Sequence, residues 1–213
     1  MIRNVLFPPA RSLAPAAGFG VIPRAVMVDP ALNVSAKVIY AYYCAMAGGG
    51  QGSFQKRKEI IRTIGVGRAT YYRNFSGLMN YGYISAEQNS AKAGEMAVNV
   101  VELLEFPERF TLKPPVYLKR TFAKVNEGGI TAAGYGFIDK KVIFDRRISL
   151  RAKAVYAYYA SFSEGDSLDI PRKEVVMMHL GINKDVYMGA MKQLDALGYI
   201  SDFEIPEKNF KAR

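Results

Sequence analysis

The stretch GFGVIPRAVMVDPALNVSAKVIYAYY, at 18–43, occurs twice in this chain. It returns without a gap as GYGFIDKKVIFDRRISLRAKAVYAYY at 134–159, so that Asp29 is matched by Asp145, 116 positions later (145 − 29). A repeat of this length is a whole domain, because solenoid repeats have only about 20–50 residues each. The sequence therefore predicts two small domains of one fold.

The match continues beyond this stretch. Gly65-Val66-Gly67 corresponds to Gly181-Ile182-Asn183, and Gly82-Tyr83-Ile84-Ser85 corresponds to Gly198-Tyr199-Ile200-Ser201. We predict an N-terminal extension at 1–17, a first domain at 18–104, a linker at 105–133 and a second domain at 134–213.

Each copy has the sequence pattern of three helices. Asn33 and Ser149 are good N-cap residues for a first helix, because a side-chain oxygen can accept an amide hydrogen of the first turn. We expect a second helix at 56–64 and 172–180, and a third at 68–81 and 184–197. Gly82 and Gly198 are suited to the left-handed conformation that ends a helix.

A β-hairpin is predicted after the third helix of the first copy. Residues 83–88 and 96–104 alternate in polarity around a loop that contains Gly and Ser. In the second copy only SDFEIPEKNFKAR follows, and Pro206 limits a second strand. The fold class predicted is mainly α with small β-hairpins, an α+β arrangement.

Charge and composition restrict the function. The formal charge is +10, which indicates a polyanionic partner, and residues 56–73 contain six basic side chains against one acidic. With one cysteine (Cys44) and one histidine (His179), the chain lacks an intramolecular disulfide, a multi-histidine zinc site and a two-histidine nickase site. Its glycine-rich segment lacks the Gly-Lys-Ser/Thr of a P-loop. We therefore expect no catalytic residues, no cofactor and no metal.

The order helix, short turn, helix, GYI strand and hairpin is that of a winged helix-turn-helix. The residues IP…D…L…SAK..YAYY and RK.I…GVGRATYYRN….L…GYI resemble the helix-turn-helix domains of plasmid and phage replication initiators from Gram-positive bacteria. They are also similar to replisome organisers and to helix-turn-helix proteins of conjugative elements. The resemblance covers about 18–85 and 134–201 and implies two tandem winged helix-turn-helix domains that bind double-stranded DNA.

On this resemblance, the third helix of the first copy faces base edges and the second helix faces phosphates. Tyr71, Phe75 and Leu78 are expected to point inward. The DNA-binding residues implied are Arg57, Lys58, Arg62, Arg68, Thr70, Tyr72, Arg73 and, at the hairpin tip, Lys92. The competing interpretation is a charged face that only contacts solvent.

The second copy departs from this pattern. Met188 and Gly189 replace Tyr72 and Arg73, and Asp185 would repel phosphate. Lys184 and Lys192 remain as candidate DNA contacts. Two interpretations stay open: a weaker or differently specific DNA reader, and a winged helix used for dimerisation or for docking a protein.

Both copies carry a YAYY sequence, at 40–43 and 156–159. Aromatic residues at helical spacing are more often core than a base-stacking platform, and their occurrence in both copies favours packing.

The sequence is interpreted as a cytoplasmic, non-enzymatic protein that binds double-stranded DNA, without a membrane segment. The setting implied is replication of a plasmid, phage or integrative element, as initiator or organiser. The alternatives are a transcriptional regulator and a winged-helix module that binds replication proteins. A homodimer stays open.

Overall fold

The computed structural model describes residues 18–47, 57–88, 99–104, 134–163 and 171–200. In the first copy these residues form β1 (Phe19–Pro23), α1 (Arg24–Val28), α2 (Val34–Ala47), α3 (Arg57–Ile64), α4 (Arg68–Asn80), β2 (Ile84–Gln88) and β3 (Asn99–Leu103). In the second copy they form β4 (Tyr135–Asp139), α5 (Lys140–Phe144), α6 (Leu150–Ala160), α7 (Lys173–Leu180) and α8 (Lys184–Ala196). The described chain is mainly helical with two small antiparallel sheets, as the α+β prediction required.

The predicted helices form within one or two residues of their expected bounds, and their caps explain why. Asn33 accepts a hydrogen bond from the amide of Ala36 at 3.0 Å, and Ser149 accepts one from the amide of Ala152 at 3.2 Å. Gly82 and Gly198 have φ angles of 71° and 70°. These values lie in the left-handed region, where glycine alone is unstrained.

The predicted hairpin strands of the first copy are paired. β2 runs antiparallel to β3, with Ile84 opposite Leu103. The strand begins beside the core because Tyr83 donates a hydrogen bond from its hydroxyl to the buried Asp29 carboxylate at 2.5 Å. In the second copy Tyr199 donates to Asp145 in the same way, at 3.0 Å. The tip of the hairpin and the chain beyond 200 lie outside the described residues.

The two copies are joined by a strand pair that the sequence analysis did not predict. β1 pairs antiparallel with β4, and Val21 lies opposite Phe137, its own counterpart in the repeat. When equivalent residues face each other in an antiparallel pair, a local twofold axis passes between them. The copies therefore pack as the two halves of a dimer do, inside one chain.

The second glycine of each Gly-aromatic-Gly sequence is required by the packing of its strand against the central helix of the same copy. A Cβ atom added to Gly20 would lie 1.9 Å from the carbonyl oxygen of Cys44, and one added to Gly136 would lie 1.8 Å from that of Ala160. Only glycine allows a strand to approach the end of a helix so closely.

The shared core is built around α2 and α6, which contact each other. Tyr40, Tyr42 and Tyr158 are fully buried, so the packing interpretation of the YAYY sequences is confirmed for these rings. The hydroxyl of Tyr43 lies 2.7 Å from that of Tyr71, and Tyr159 is paired with Tyr187 at the same distance. Each pair ties the central helix of its copy to the third helix predicted from the sequence.

Two buried lysines cross between the copies. Lys37 donates from Nζ to the backbone carbonyl of His179, and Lys153 donates to that of Thr63, the equivalent position. Both carbonyls are in the last turn of a helix (α7 or α3), where backbone acceptors lack a partner within the helix. Burial lowers the pKa of both lysines to about 8. The crossed contacts fix each short helix against the opposite copy.

Candidate nucleic-acid interface

The candidate interface of the first copy is carried by α3 and α4. In α3 the side chains of Ile60, Thr63 and Ile64 are buried, so the residues on the opposite side of the helix face solvent. Gly65, with φ of 72°, opens the turn between the two helices. In α4 the side chains of Tyr71, Phe75 and Leu78 are buried, as predicted.

The exposed side of these helices is basic. We call it the basic face and define it by Arg57, Lys58, Arg62, Arg68, Tyr72 and Arg73. All are exposed except Arg57, which is half-buried, and Tyr72 retains 36% of its accessible surface. Thr70 is half-buried at its edge, and Lys92 lies outside the described residues.

Tyr72 organises the guanidinium groups around it. The carbon at the centre of the Arg57 guanidinium lies 5.7 Å from the centroid of the Tyr72 ring, and that of Arg68 lies at the same distance. Cations within about 6 Å of a ring face are attracted by its quadrupole, by about 0.5–1 kcal/mol at exposed sites. One exposed ring therefore connects the start of α3 to the start of α4 and holds two cations beside it.

The orientation of α4 is fixed by side-chain amides on its buried side. Asn33 donates to the side-chain oxygen of Asn74 at 2.6 Å, and Asn74 donates to the backbone carbonyl of Thr70 at 2.8 Å. Asn74 is buried, so these bonds are shielded from water. The first turn of α4, which carries Arg68, is thereby tied to the N-terminus of α2.

A residue of the second copy extends the basic face, and the sequence analysis missed it. Arg146, in the turn between α5 and α6, places a guanidinium nitrogen 3.6 Å from the Glu59 carboxylate. Arg62 contacts the same carboxylate oxygen at 2.8 Å. We call Glu59, Arg62 and Arg146 the arginine junction. A signal was present in the repeat, because the second copy reads Asp-Arg-Arg where the first reads Asp-Pro-Ala.

The corresponding face of the second copy has a different character. Met178 replaces Arg62 and exposes 67% of its surface, while Val175 replaces Glu59. Lys184 and Lys192 are exposed as predicted, but exposed Asp185 lies beside Lys184. From their sequences, α3 and α4 each carry a net charge of +2, whereas α7 and α8 each carry a net charge of 0. Of these equivalent helices, only those of the first copy therefore carry a net positive charge.

The predicted site residues fall into two separate groups. α4 packs against α2 and α8 packs against α6, so each third helix lies against the central helix of its own copy. Lys184 and Lys192 are therefore not part of the basic face.

His179, the single histidine, has a structural environment. Its Nδ1 lies 2.7 Å from the hydroxyl of Tyr158, and burial lowers its pKa. Among the described residues, no group of three or more His, Cys, Asp or Glu side chains is placed to hold a metal ion. Nor does any helix in that part of the chain have the length and apolar character needed to cross a membrane.

No protein-family model, curated protein or solved structure matches this chain.

Proposed function

We propose that the protein binds double-stranded DNA through the basic face of its first copy. The observation that carries this proposal is the coincidence of charge and geometry on α3 and α4. Four arginines and one lysine lie on one side of two helices joined by a three-residue turn, beside an exposed tyrosine. A helix that presents arginines after such a turn is suited to a major groove, where arginine can bind guanine through two hydrogen bonds.

In this proposal each copy is a winged helix-turn-helix unit, with α3 and α4 as the two helices of the motif and β2 and β3 as the wing in the first copy. Arg68 and Arg73 are assigned to base edges, and Arg57, Lys58 and Arg62 to phosphates. The resemblance to replication initiators and organisers of mobile elements favours a role in replication over transcription. The protein acts by binding, without catalysis of its own.

The test is duplex binding at several salt concentrations, with sequences first selected from random DNA. Arg68→Ala/Arg73→Ala should weaken binding to the selected sequence by about 1–3 kcal/mol for each arginine that binds a base through two hydrogen bonds. Lys184→Ala/Lys192→Ala removes the same number of exposed cations from the second copy and is the matched control. Equal weakening in the two double variants would contradict a reading site confined to the first copy.

The location of the selected sequence separates the two DNA-related roles. A site within the replication origin of the element that encodes the protein supports an initiator or organiser. A site that overlaps a promoter, without an effect on copy number when it is deleted, supports a transcriptional regulator.

A second function, protein docking, is favoured by Met178 on the second copy. A methionine that exposes two thirds of its surface, next to half-buried Val175 and Ile182, forms an apolar patch where the first copy is charged. Flexible methionine side chains are common at protein-binding surfaces. Met178→Asp should abolish self-association or partner binding, measured by sedimentation, and leave DNA affinity unchanged. Weaker DNA binding in this variant would instead place the patch on the DNA.

A further inference from the structure

We propose that the DNA surface crosses from the first copy to the second at the arginine junction, and that Arg146 of the second copy binds the phosphate backbone. This inference rests on the proposed function and adds to it a contact that the repeat pattern alone would assign to the wrong half of the protein.

The geometry of α3 makes the surface continuous. Successive residues of an α-helix are rotated by about 100°, so its side chains can be placed around the axis. Arg57 lies on the flank that contacts Tyr72 of α4, and Glu59 lies on the flank that contacts Arg146. Lys58 and Arg62 lie between these flanks and are exposed. The basic face therefore runs from α4, across α3, to the turn between α5 and α6.

The junction presents its cations outward. The side chains of Arg62 and Arg146 expose 59% and 53% of their surface, and Glu59 exposes 43%. Arg147, the next residue, is held by Asp145 at 2.6 Å; its side chain is 69% exposed while that of Asp145 is only 9% exposed. A polyanion approaching this turn would therefore find the guanidinium groups more accessible than the carboxylate of Asp145.

Replacement of the Glu59 carboxylate by a DNA phosphate, as the partner of the two arginines, would cost little free energy. Exposed ion pairs contribute about 0–1 kcal/mol, because water competes for both partners and ordering the side chains costs entropy. Glu59 thus holds two arginines side by side without binding them strongly. A backbone phosphate, which like the carboxylate has two charged oxygens, can accept hydrogen bonds from either guanidinium in its place.

The local twofold provides an internal comparison. The equivalent junction on the other side of the molecule contains Pro30, Val175 and Met178, which are all uncharged. Packing between the copies requires a surface turn and a short helix at both junctions, yet the charged residues occur at only one. The packing alone therefore does not explain Arg62 and Arg146, and the junction that carries them adjoins the basic face.

The experiment measures affinity of the full chain for a duplex of arbitrary sequence as a function of salt. Each phosphate contact contributes about 0.9 to the slope of log K against log salt. Arg146→Ala should reduce the slope by about that amount for all sequences, and Arg146→Lys should retain it. Glu59→Gln should increase affinity at low salt, because it removes the nearest negative charge.

Lys173→Ala is the matched control, since it removes one exposed cation from the second copy at the equivalent of Arg57. It should leave the slope unchanged. An unchanged slope in Arg146→Ala, while Arg68→Ala/Arg73→Ala still weakens binding, overturns the inference and leaves the proposed function standing. An equal effect of Lys173→Ala overturns it too, because the attraction would then come from net charge alone. If the wild-type chain binds no duplex, both proposals fail.

Discussion

Raising the pH from 8 to 9 is expected to stabilise the folded protein, and the two crossed lysines are the reason. Burial lowers the pKa of Lys37 and Lys153 from 10.5 to about 8 in the folded state. Between pH 8 and 10.5 the unfolded chain therefore binds more protons than the folded chain at these two positions. Stability rises with pH wherever the unfolded state binds more protons.

The magnitude follows from the two pKa values. Linkage with a folded pKa of about 8 and an unfolded pKa of about 10.5 gives about 1 kcal/mol per lysine between pH 8 and 9. The pair together contributes roughly 2 kcal/mol. Buried tyrosines act in the opposite direction, because burial raises the pKa of Tyr42, Tyr43 and Tyr158 while unfolded tyrosines ionise near pH 10. The gain should therefore end at about pH 9.5.

Urea unfolding followed by circular dichroism at pH 8, 8.5 and 9 measures this effect directly. Lys37→Met and Lys153→Met retain a long side chain without the charge, so each should remove about half of the pH dependence. The double variant should lose this gain and instead show a small fall, because burial raises the pKa of the Cys44 thiol and of the core tyrosines. A wild-type midpoint that is constant or falls from pH 8 to 9, with an unchanged m-value, would refute the reasoning about these lysines.

Three further predictions concern the local geometry. Gly20→Ala should destabilise the fold by about 3 kcal/mol or more, because the new methyl group would lie 1.9 Å from a backbone oxygen. Gly77→Ala, which meets nothing within 4 Å inside α4, should stabilise by about 0.5–1 kcal/mol; destabilisation of similar size in both variants would contradict the steric argument. Asn33→Ala removes both the N-cap bond and the hydrogen bond to Asn74, and it should lower the free energy of unfolding by about 0.5–2 kcal/mol; an unchanged value would show that neither bond contributes in solution. Tyr43→Phe leaves a hydroxyl unpaired in the core and should cost about 1–3 kcal/mol, measured by the same urea titration, whereas an unchanged midpoint would show that the hydroxyl finds water.

Much of the basic face could be predicted from the sequence. A helical stripe of Tyr71, Phe75 and Leu78 determines which side of α4 is buried, and the side that carries Arg68 and Arg73 follows from it. The stacking of Arg57 and Arg68 on Tyr72 could not be predicted in this way, because it depends on the angle between two helices.

The arginine junction was beyond sequence reasoning for a different reason. Arg146 and Glu59 are 87 positions apart (146 − 59) and belong to different copies. Hydrophobic periodicity indicates which side of a helix or strand is apolar, but it does not indicate which distant part of the chain packs beside that helix or strand.

The sequence by itself determined the repeat, three helices of each copy, the β2–β3 strand pair and the buried side of α4, whereas the short helices α1 and α5 were not predicted. The features so determined depend on contacts within a few residues or on a local pattern of polarity. Only the tertiary structure decided that β1 pairs with β4, that Lys37 and Lys153 cross to the opposite copy, and that Arg146 adjoins α3. These pairings are favoured because they bury apolar surface from both copies. That shared buried surface forms only when the fold brings together residues that are 116 positions apart in the sequence.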